Sequence, residues 1–184
     1  MSTRKILLIR HAEKPDASLG LQGVDERGNA NPHGLSVRGW QRAGALVRFF
    51  APLDGHVRDR RIDTPATIFA AATSAAHPSP RPLWTVEPLA RALRVEVRQD
   101  LTAEARPDQL VAAVEAADGP VLLSWRHASM AAFAAALTEG GDVPAAWPED
   151  RYDMVWVFQR DQDRWSFAQV PQLLLPRDSP EPIR

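Results

Sequence analysis

The chain has 184 residues, of which 45% are hydrophobic and 24% charged, a balance that indicates one globular domain and excludes a disordered or fibrous protein. The formal net charge of −1 offers no broad field that would attract nucleic acid or an anionic membrane surface. Because there are no cysteines, disulfides, thiolate chemistry and cysteine-ligated zinc are also excluded.

The first predicted element is a strand from Lys5 to Arg10, a short apolar run typical of a strand buried on both faces. This run is too short for a signal peptide or a membrane span, so we expect a cytoplasmic protein without a membrane segment. Residues 14–35 are rich in Pro, Gly, Asn and Asp, which predicts a long loop of the kind that often forms a lid or a substrate wall. Ser36 is expected to cap a helix that runs to about Phe50.

Strands and helices are predicted to alternate through the middle of the chain. A second buried strand is expected over 67–71, followed by a helix that ends near Leu93 and a short strand over 94–98. Pro107 suits the first turn of the next helix. A third buried strand over 120–125 precedes an alanine-rich helix over 127–137.

The last predicted elements are two strands, over 154–159 and 165–170, which bracket a polar turn and indicate a hairpin. Residues 171–184 are rich in proline and are predicted to be a surface tail. The whole chain, 1–184, is therefore expected to form a single α/β domain. Its predicted architecture is a three-layer α/β/α sandwich with a mostly parallel central sheet and a C-terminal hairpin or antiparallel edge.

Two of the predicted strands end in the same way, with an arginine followed by a histidine. Arg10 and His11 close the first strand, and Arg126 and His127 close the third. Ligands of such sheets bind at the carboxyl ends of the strands, where a charged side chain requires a partner or an open cleft. An anion between the two pairs would satisfy both.

The blocks around these pairs resemble the histidine phosphatase (phosphoglycerate mutase-like) superfamily. The first block, from Leu8 to Pro15, is similar to the superfamily's Arg-His-Gly or Arg-His-Ala signature followed by Glu. Three more blocks follow in the superfamily's order: Leu35-Ser36-x-x-Gly39-x-Gln41-x-Ala43, Arg81-x-x-x-Thr85-x-x-Pro88-Leu89-Ala90 and Ser124-Trp125-Arg126-His127-Ala128-Ser129-Met130. Together the four blocks span residues 6 to about 130.

The resemblance implies a role for each matching position. His11 would be the nucleophile that forms a phosphohistidine, and it must be neutral to attack. Arg10 and Arg81 would hold phosphate oxygens through forked donors, and His127 would donate a further hydrogen bond. Glu104, which follows a leucine some tens of residues after Arg81, would be the general acid. Neither a metal nor a cofactor is implied.

Several residues retain more than one interpretation at this point. Glu104 is equally well explained as a solvated residue before a helix, and Asp100 competes with it as the acid. Glu13 is expected to orient a ligand or an arginine. Arg126 is a substitute for Arg81, although a solvated strand end is the simpler interpretation. The three remaining histidines are expected to be solvated or to pack within loops: His33, His56 and His77. His33 would be an exception if its long loop folds over the site.

The predicted function is that of a metal-independent phosphatase acting through a phosphohistidine at His11. A phosphoglycerate mutase-like phosphotransferase and a non-catalytic member that binds phosphorylated ligands are the alternatives. The predicted partner is a small phosphorylated substrate or a phosphoprotein. No nucleic-acid or membrane partner is expected, and the sequence does not predict the oligomeric state.

Overall fold

A computed structural model describes residues 4–162 and 164–184 of the chain. Its centre is a six-stranded sheet with the spatial order β5-β4-β6-β1-β7-β8. A separate two-stranded ribbon is formed by β2 and β3. The strands are β1 (Lys5–Arg10), β2 (Gly23–Val24), β3 (Leu35–Ser36), β4 (Thr67–Ala70), β5 (Val97–Arg98), β6 (Val121–Trp125), β7 (Met154–Asp161) and β8 (Arg164–Pro171).

The sheet is parallel over its first four strands and antiparallel at the other edge. β1 pairs in parallel with β6, which pairs in parallel with β4, and β4 does the same with β5. On its other side β1 pairs antiparallel with β7, which forms a hairpin with β8. The predicted mixed α/β fold with an antiparallel C-terminal edge is therefore confirmed.

Within the residues that the structure describes, four α-helices cover the sheet: α1 (Val37–Phe50), α2 (Arg81–Leu93), α3 (Pro107–Ala116) and α4 (His127–Leu137). Ser36 caps α1 as predicted, because its side chain accepts a hydrogen bond from the backbone N–H of Gly39. None of the helices in the described part of the chain is both long and apolar enough to cross a bilayer.

The core lies on both faces of the sheet, as the unbroken apolar run of β1 predicts. Ile6 and Leu8 point to the side covered by α3 and α4, where Phe133 is one of the large buried residues. Leu7 and Ile9 point to the opposite side, covered by α1 and α2. This alternation follows from the period of two in a strand, and it fixes which way the residues at the end of β1 point.

Two of the predicted irregular segments carry more structure than expected. The segment 14–35 contains a 3-10 turn at Ala17–Leu19, and its β2 strand pairs with β3. In the segment 171–184, Leu173 is exposed but Gln172 and Ile183 are buried. The single-domain boundaries and the surface tail remain predictions, although hydrogen bonds tie this last segment to the domain at several points.

Candidate active site

His11 lies directly after β1, at the carboxyl edge of the parallel strands. Its backbone N–H donates to the carbonyl of Trp125, so β1 and β6 remain paired up to the point where both Arg-His pairs emerge. The side chain is buried, with 6% of its surface exposed. The ends of β1 and β6 therefore lie next to each other, as the sequence predicts.

The imidazole of His11 is held in one tautomer by its own backbone. Nδ1 lies 2.8 Å from the carbonyl oxygen of Ala12, which can only accept, so Nδ1 carries the proton and Nε2 has the free lone pair. Burial lowers the pKa of His11 to about 3, and the charges of Arg10 and Arg81 act in the same direction. The ring is consequently neutral at physiological pH.

The peptide that orients His11 is itself fixed by the two helices on one face of the sheet. The buried hydroxyl of Thr85, on α2, accepts a hydrogen bond from the backbone N–H of Ala12 at 2.8 Å. Gly39, on α1, approaches the next residue so closely that an added Cβ would lie 2.5 Å from the carbonyl oxygen of Glu13. Two of the motif blocks thus serve to hold the segment that follows the nucleophile.

A buried cluster of charges anchors the same segment to α1 and to the C-terminal segment. Arg42, on α1, donates to both carboxylate oxygens of Glu13 and to Asp178 in the C-terminal segment. Burial alone would lower the pKa of Arg42, but these hydrogen bonds outweigh it and raise that pKa. Glu13 therefore orients arginines, Arg42 and the half-buried Arg38, as one of the two sequence-based interpretations expects.

Arg10 is almost completely buried, with 1% exposed, and it ties a distant loop to the site. Its Nη1 donates to the backbone carbonyls of residues 148, 149 and 151, and its Nη2 donates to the hydroxyl of Tyr152 at 3.1 Å. The Nε of Arg10 is buried and has no hydrogen-bond partner in the described part of the chain. One donor of this guanidinium is therefore still available to an anion.

His127 begins α4, beside Arg10. Its Nδ1 is the second buried side-chain nitrogen of the site with no hydrogen-bond partner among residues 4–162 and 164–184. Burial lowers the pKa of His127, and the charge of Arg10 lowers it further. Buried polar atoms are nearly always satisfied in folded proteins, so two such atoms at one sheet edge indicate a place for a ligand.

Arg81, the first residue of α2, lines a cavity of about 150 Å³ together with His11. Its Nε donates to the carbonyl of Gly34 at 2.9 Å, and its Nη2 donates to that of Pro32 at 3.2 Å. These bonds hold the end of the long loop against the site. They leave Nη1 of Arg81 without a partner in the described residues.

The cavity is also lined by three residues for which the sequence favours a solvated or loop-packing role: His33, His77 and Arg126. Arg126 is half-buried and contacts His77, 49 residues earlier in the chain. Only the repeated Arg-His pair hinted at Arg126, and nothing in the spacing of His77 distinguished it from a loop residue. His56, by contrast, is exposed and lies outside the cavity lining.

Glu104 lies near the cavity but does not line it. The residue is exposed, and its carboxylate accepts a hydrogen bond from Ser74 at 2.6 Å. That hydrogen bond is the largest cause that lowers the pKa of Glu104, so the group is ionised at neutral pH and has no proton to donate. Asp100, the competing acid, is exposed and bonded to Arg98. Neither carboxyl group is placed as a proton donor.

A second, larger cavity of about 650 Å³ opens beside the segment that follows His11. It extends from Lys14 to the loop at Tyr152 and to the C-terminal segment at Arg177, and Leu19 and Leu21 form an apolar side. No three metal-ligating side chains of the His, Asp or Glu types come together in the described residues.

No protein-family model matches the sequence, and no curated protein sequence matches it. In structure the chain is similar to an Escherichia coli K-12 protein provisionally identified as an alpha-ribazole-5'-P phosphatase, with 11% identity and a TM-score of 0.58. YhfR from Bacillus stearothermophilus is similar as well, with 14% identity and a TM-score of 0.53. Each likeness covers 90% of this chain and 95% of the other chain. At these identities the likeness concerns the fold alone: the chain has the histidine phosphatase fold that its four sequence blocks predict.

Proposed function

We propose that the protein is a phosphatase that takes a phosphoryl group from its substrate onto Nε2 of His11. The observation that carries the proposal is the state of that imidazole. It is neutral, its Nδ1–H is committed to the carbonyl of Ala12, and it lines a cavity with an arginine. A histidine nucleophile requires these three conditions, since a protonated ring has no lone pair and an unassisted phosphoryl dianion repels nucleophiles.

The unsatisfied donors around His11 support a phosphoryl group as the ligand. Nε of Arg10 is a charged donor without an acceptor, and Nδ1 of His127 is likewise unpartnered within the described residues. Phosphate oxygens accept charge-assisted hydrogen bonds from such donors at modest desolvation cost. Arg81 adds a second guanidinium at the cavity wall.

The reaction that follows from this arrangement has two steps. Nε2 of His11 attacks phosphorus, the P–N bond forms, and the P–O bond to the leaving group breaks with its electron pair on the departing oxygen. Water then attacks the phosphorus of the phosphohistidine, and the P–N bond breaks with its electron pair on Nε2, which restores the neutral imidazole. Inorganic phosphate leaves with the protons of the attacking water. The guanidinium groups of Arg10 and Arg81 stabilise the charge on the equatorial oxygens in both steps.

The position of Glu104 bears on the class of substrate. An alkoxide leaving group requires a proton, and the lowered pKa of this exposed carboxylate makes it unfit to supply one. The geometry therefore favours substrates whose leaving group departs with little protonation, such as aryl phosphates or phosphohistidine in a protein. The same reasoning disfavours a mutase, because sugar hydroxyl groups are poor leaving groups without an acid.

The proposal is tested by turnover of p-nitrophenyl phosphate in the presence of EDTA. We expect metal-independent release of nitrophenol by the wild type and a loss of several orders of magnitude in His11→Ala. The control variant His56→Ala removes an exposed histidine outside the cavity and should retain full turnover. Full activity in His11→Ala would contradict the proposal. Phosphate binding without turnover by the wild type would favour a non-catalytic binding protein instead.

A further inference from the structure

Arg126 faces the same cavity as Arg81. Both residues line the 150 Å³ cavity that contains His11, and none of the lining residues in the described part of the chain is acidic. Burial is the main cause that lowers the pKa of Arg81, and the charge of Arg126 also lowers it. Two cations that line one small cavity, with no acidic residue among the described lining, make that cavity favourable for an anion.

The guanidinium of Arg126 is oriented by a histidine. Its Nη1 donates a hydrogen bond to Nε2 of His77, so this imidazole nitrogen acts as the acceptor. Nε and Nη2 of Arg126 have no hydrogen-bond partner in the described residues. Because a guanidinium is planar, fixing one nitrogen constrains the direction in which the other donors point.

A carboxylate lies close to the same ring nitrogen of His77, although it does not line the cavity. Oε1 of Glu104 is 3.7 Å from Nε2 of His77 and accepts a hydrogen bond from the hydroxyl of Ser74. The backbone N–H of His77 donates to that same hydroxyl at 3.1 Å. Glu104, Ser74 and His77 thus form a small polar network that contacts the guanidinium of Arg126 through His77.

We propose that Arg126 is a third arginine that binds the transferring phosphoryl group, and that His77 is a positioning residue that holds its guanidinium at the cavity. The inference rests on the proposed function, because it assigns a ligand to the same site. A further guanidinium would offset more of the charge that spreads over the phosphoryl oxygens in the transition state. In this arrangement Glu104 contributes to the polar network around His77 and does not have to act as a general acid.

Binding of inorganic phosphate, measured by calorimetry on the full chain, tests the role of Arg126 without relying on turnover. We expect Arg126→Gln to weaken binding by about tenfold or more, as the loss of a charge-assisted hydrogen bond implies, and Arg126→Lys to lose less. Arg106→Gln is the matched control, because it removes the same charge from an exposed arginine that pairs with Asp108. Thermal melting of each variant checks that the fold is intact.

The role of His77 is tested by a double-mutant cycle in the same assay. His77→Leu removes the acceptor and should weaken phosphate binding, whereas His77→Gln retains an acceptor and should lose less. If His77 acts through Arg126, the double variant Arg126→Gln/His77→Leu should bind phosphate no more weakly than Arg126→Gln alone. Full additivity of the two losses would overturn the positioning role.

The outcomes separate this inference from the proposed function. Phosphate binding that is unchanged in Arg126→Gln, in an enzyme that turns over p-nitrophenyl phosphate through His11, overturns the role of Arg126 and leaves the phosphatase intact. Binding that depends on Arg126 in a protein without turnover supports the anion site and contradicts the phosphatase. A wild type that binds no phosphate at millimolar concentration overturns the inference directly.

Discussion

The Nδ1 atom of His11 lies 2.8 Å from the carbonyl oxygen of Ala12, so the backbone of the next residue selects the tautomer of the ring. Ala12 is fixed in turn by the hydroxyl of Thr85, which accepts a hydrogen bond from its N–H. The chemistry proposed for His11 therefore depends on one peptide unit held between a strand end and a helix. This dependence leads to predictions on stability as well as on turnover.

Burial of His11 should make the protein less stable in acid. The folded state holds the pKa of this ring at about 3, below the ordinary value of 6.5, so as pH falls through 6.5 the unfolded state binds a proton that the folded state does not. The contribution of His11 to the free energy of unfolding is therefore present above pH 6.5 and is lost as pH falls toward 3. Between pH 7 and 5 the loss is on the order of 2 kcal/mol.

Urea unfolding of the wild type and His11→Asn at pH 7 and pH 5 measures this contribution. Asn keeps an N–H donor for the carbonyl of Ala12 but does not titrate, so the variant should lose less stability on acidification than the wild type. His56→Asn, which removes an exposed histidine, should behave as the wild type does. If the free energy of unfolding decreased equally between pH 7 and pH 5 in the wild type and in His11→Asn, the buried ring would contribute nothing to the pH dependence of stability.

Two glycines of α1 should respond to alanine in opposite ways. A Cβ on Gly39 would lie 2.5 Å from the backbone oxygen of Glu13, so Gly39→Ala must displace either α1 or the segment after His11. We expect it to cost about 1–3 kcal/mol of stability and to reduce turnover. Gly44 has no atom within 4 Å of its Cβ position, so Gly44→Ala should stabilise the helix by roughly 0.5–1 kcal/mol.

Chemical denaturation and p-nitrophenyl phosphate turnover of the two alanine variants provide the comparison. Both changes replace glycine with alanine in the same helix, so the gain in helix propensity is the same in both variants. The difference between their stabilities therefore measures the steric contact of residue 39 with Glu13. A Gly39→Ala protein as stable and as active as Gly44→Ala would contradict the close packing of α1 on this segment.

Removing Arg42 should be strongly destabilising. Arg42→Met leaves the carboxylates of Glu13 and Asp178 without their shared buried partner, and breaking a buried pair in this way costs about 3–5 kcal/mol. Arg106→Met breaks an exposed pair with Asp108 and should have little effect on stability, because solvent screens exposed ion pairs. Urea unfolding at pH 7 gives both free energies, and a loss in Arg42→Met as small as that in Arg106→Met would contradict the buried cluster.

Features set by local sequence patterns were predictable. Apolar runs, cap residues and the repeated Arg-His pair predict β1, β6, α1 and the sheet edge at which His11 and His127 lie. Each of these signals resides in about ten consecutive residues. The four ordered blocks then led to the fold, which the structure confirms.

Features that depend on contacts between distant segments were not predictable. Arg10 reaches carbonyls at residues 148–151, and Arg126 reaches His77, because the tertiary fold brings these loops together at the sheet edge. The same holds for Asp178, whose partner Arg42 lies 136 residues earlier. No periodicity or spacing in the sequence encodes such pairs, which is why Arg126 was expected to be a solvated strand end and its contact with His77 was not anticipated.

The loop held by Arg10 also explains why this arginine has fewer donors for a ligand than the sequence resemblance implies. Nη1 and Nη2 are occupied by backbone carbonyls and Tyr152, and Nε is the donor left over. Arg10 thus combines structural anchoring with one available contact. Variants of Arg10 are for this reason poor probes of phosphate binding, since they also release the loop.

The central claim is tested most directly by trapping the phosphorylated enzyme. The protein is mixed rapidly with p-nitrophenyl phosphate, quenched in alkali and digested, and the peptide that contains His11 is analysed by mass spectrometry. We predict one phosphoryl group on His11, stable in alkali and lost in acid, and no phosphorylation of that peptide in His11→Ala. Turnover without any phosphohistidine, or a phosphoryl group on another residue during turnover, would contradict the account.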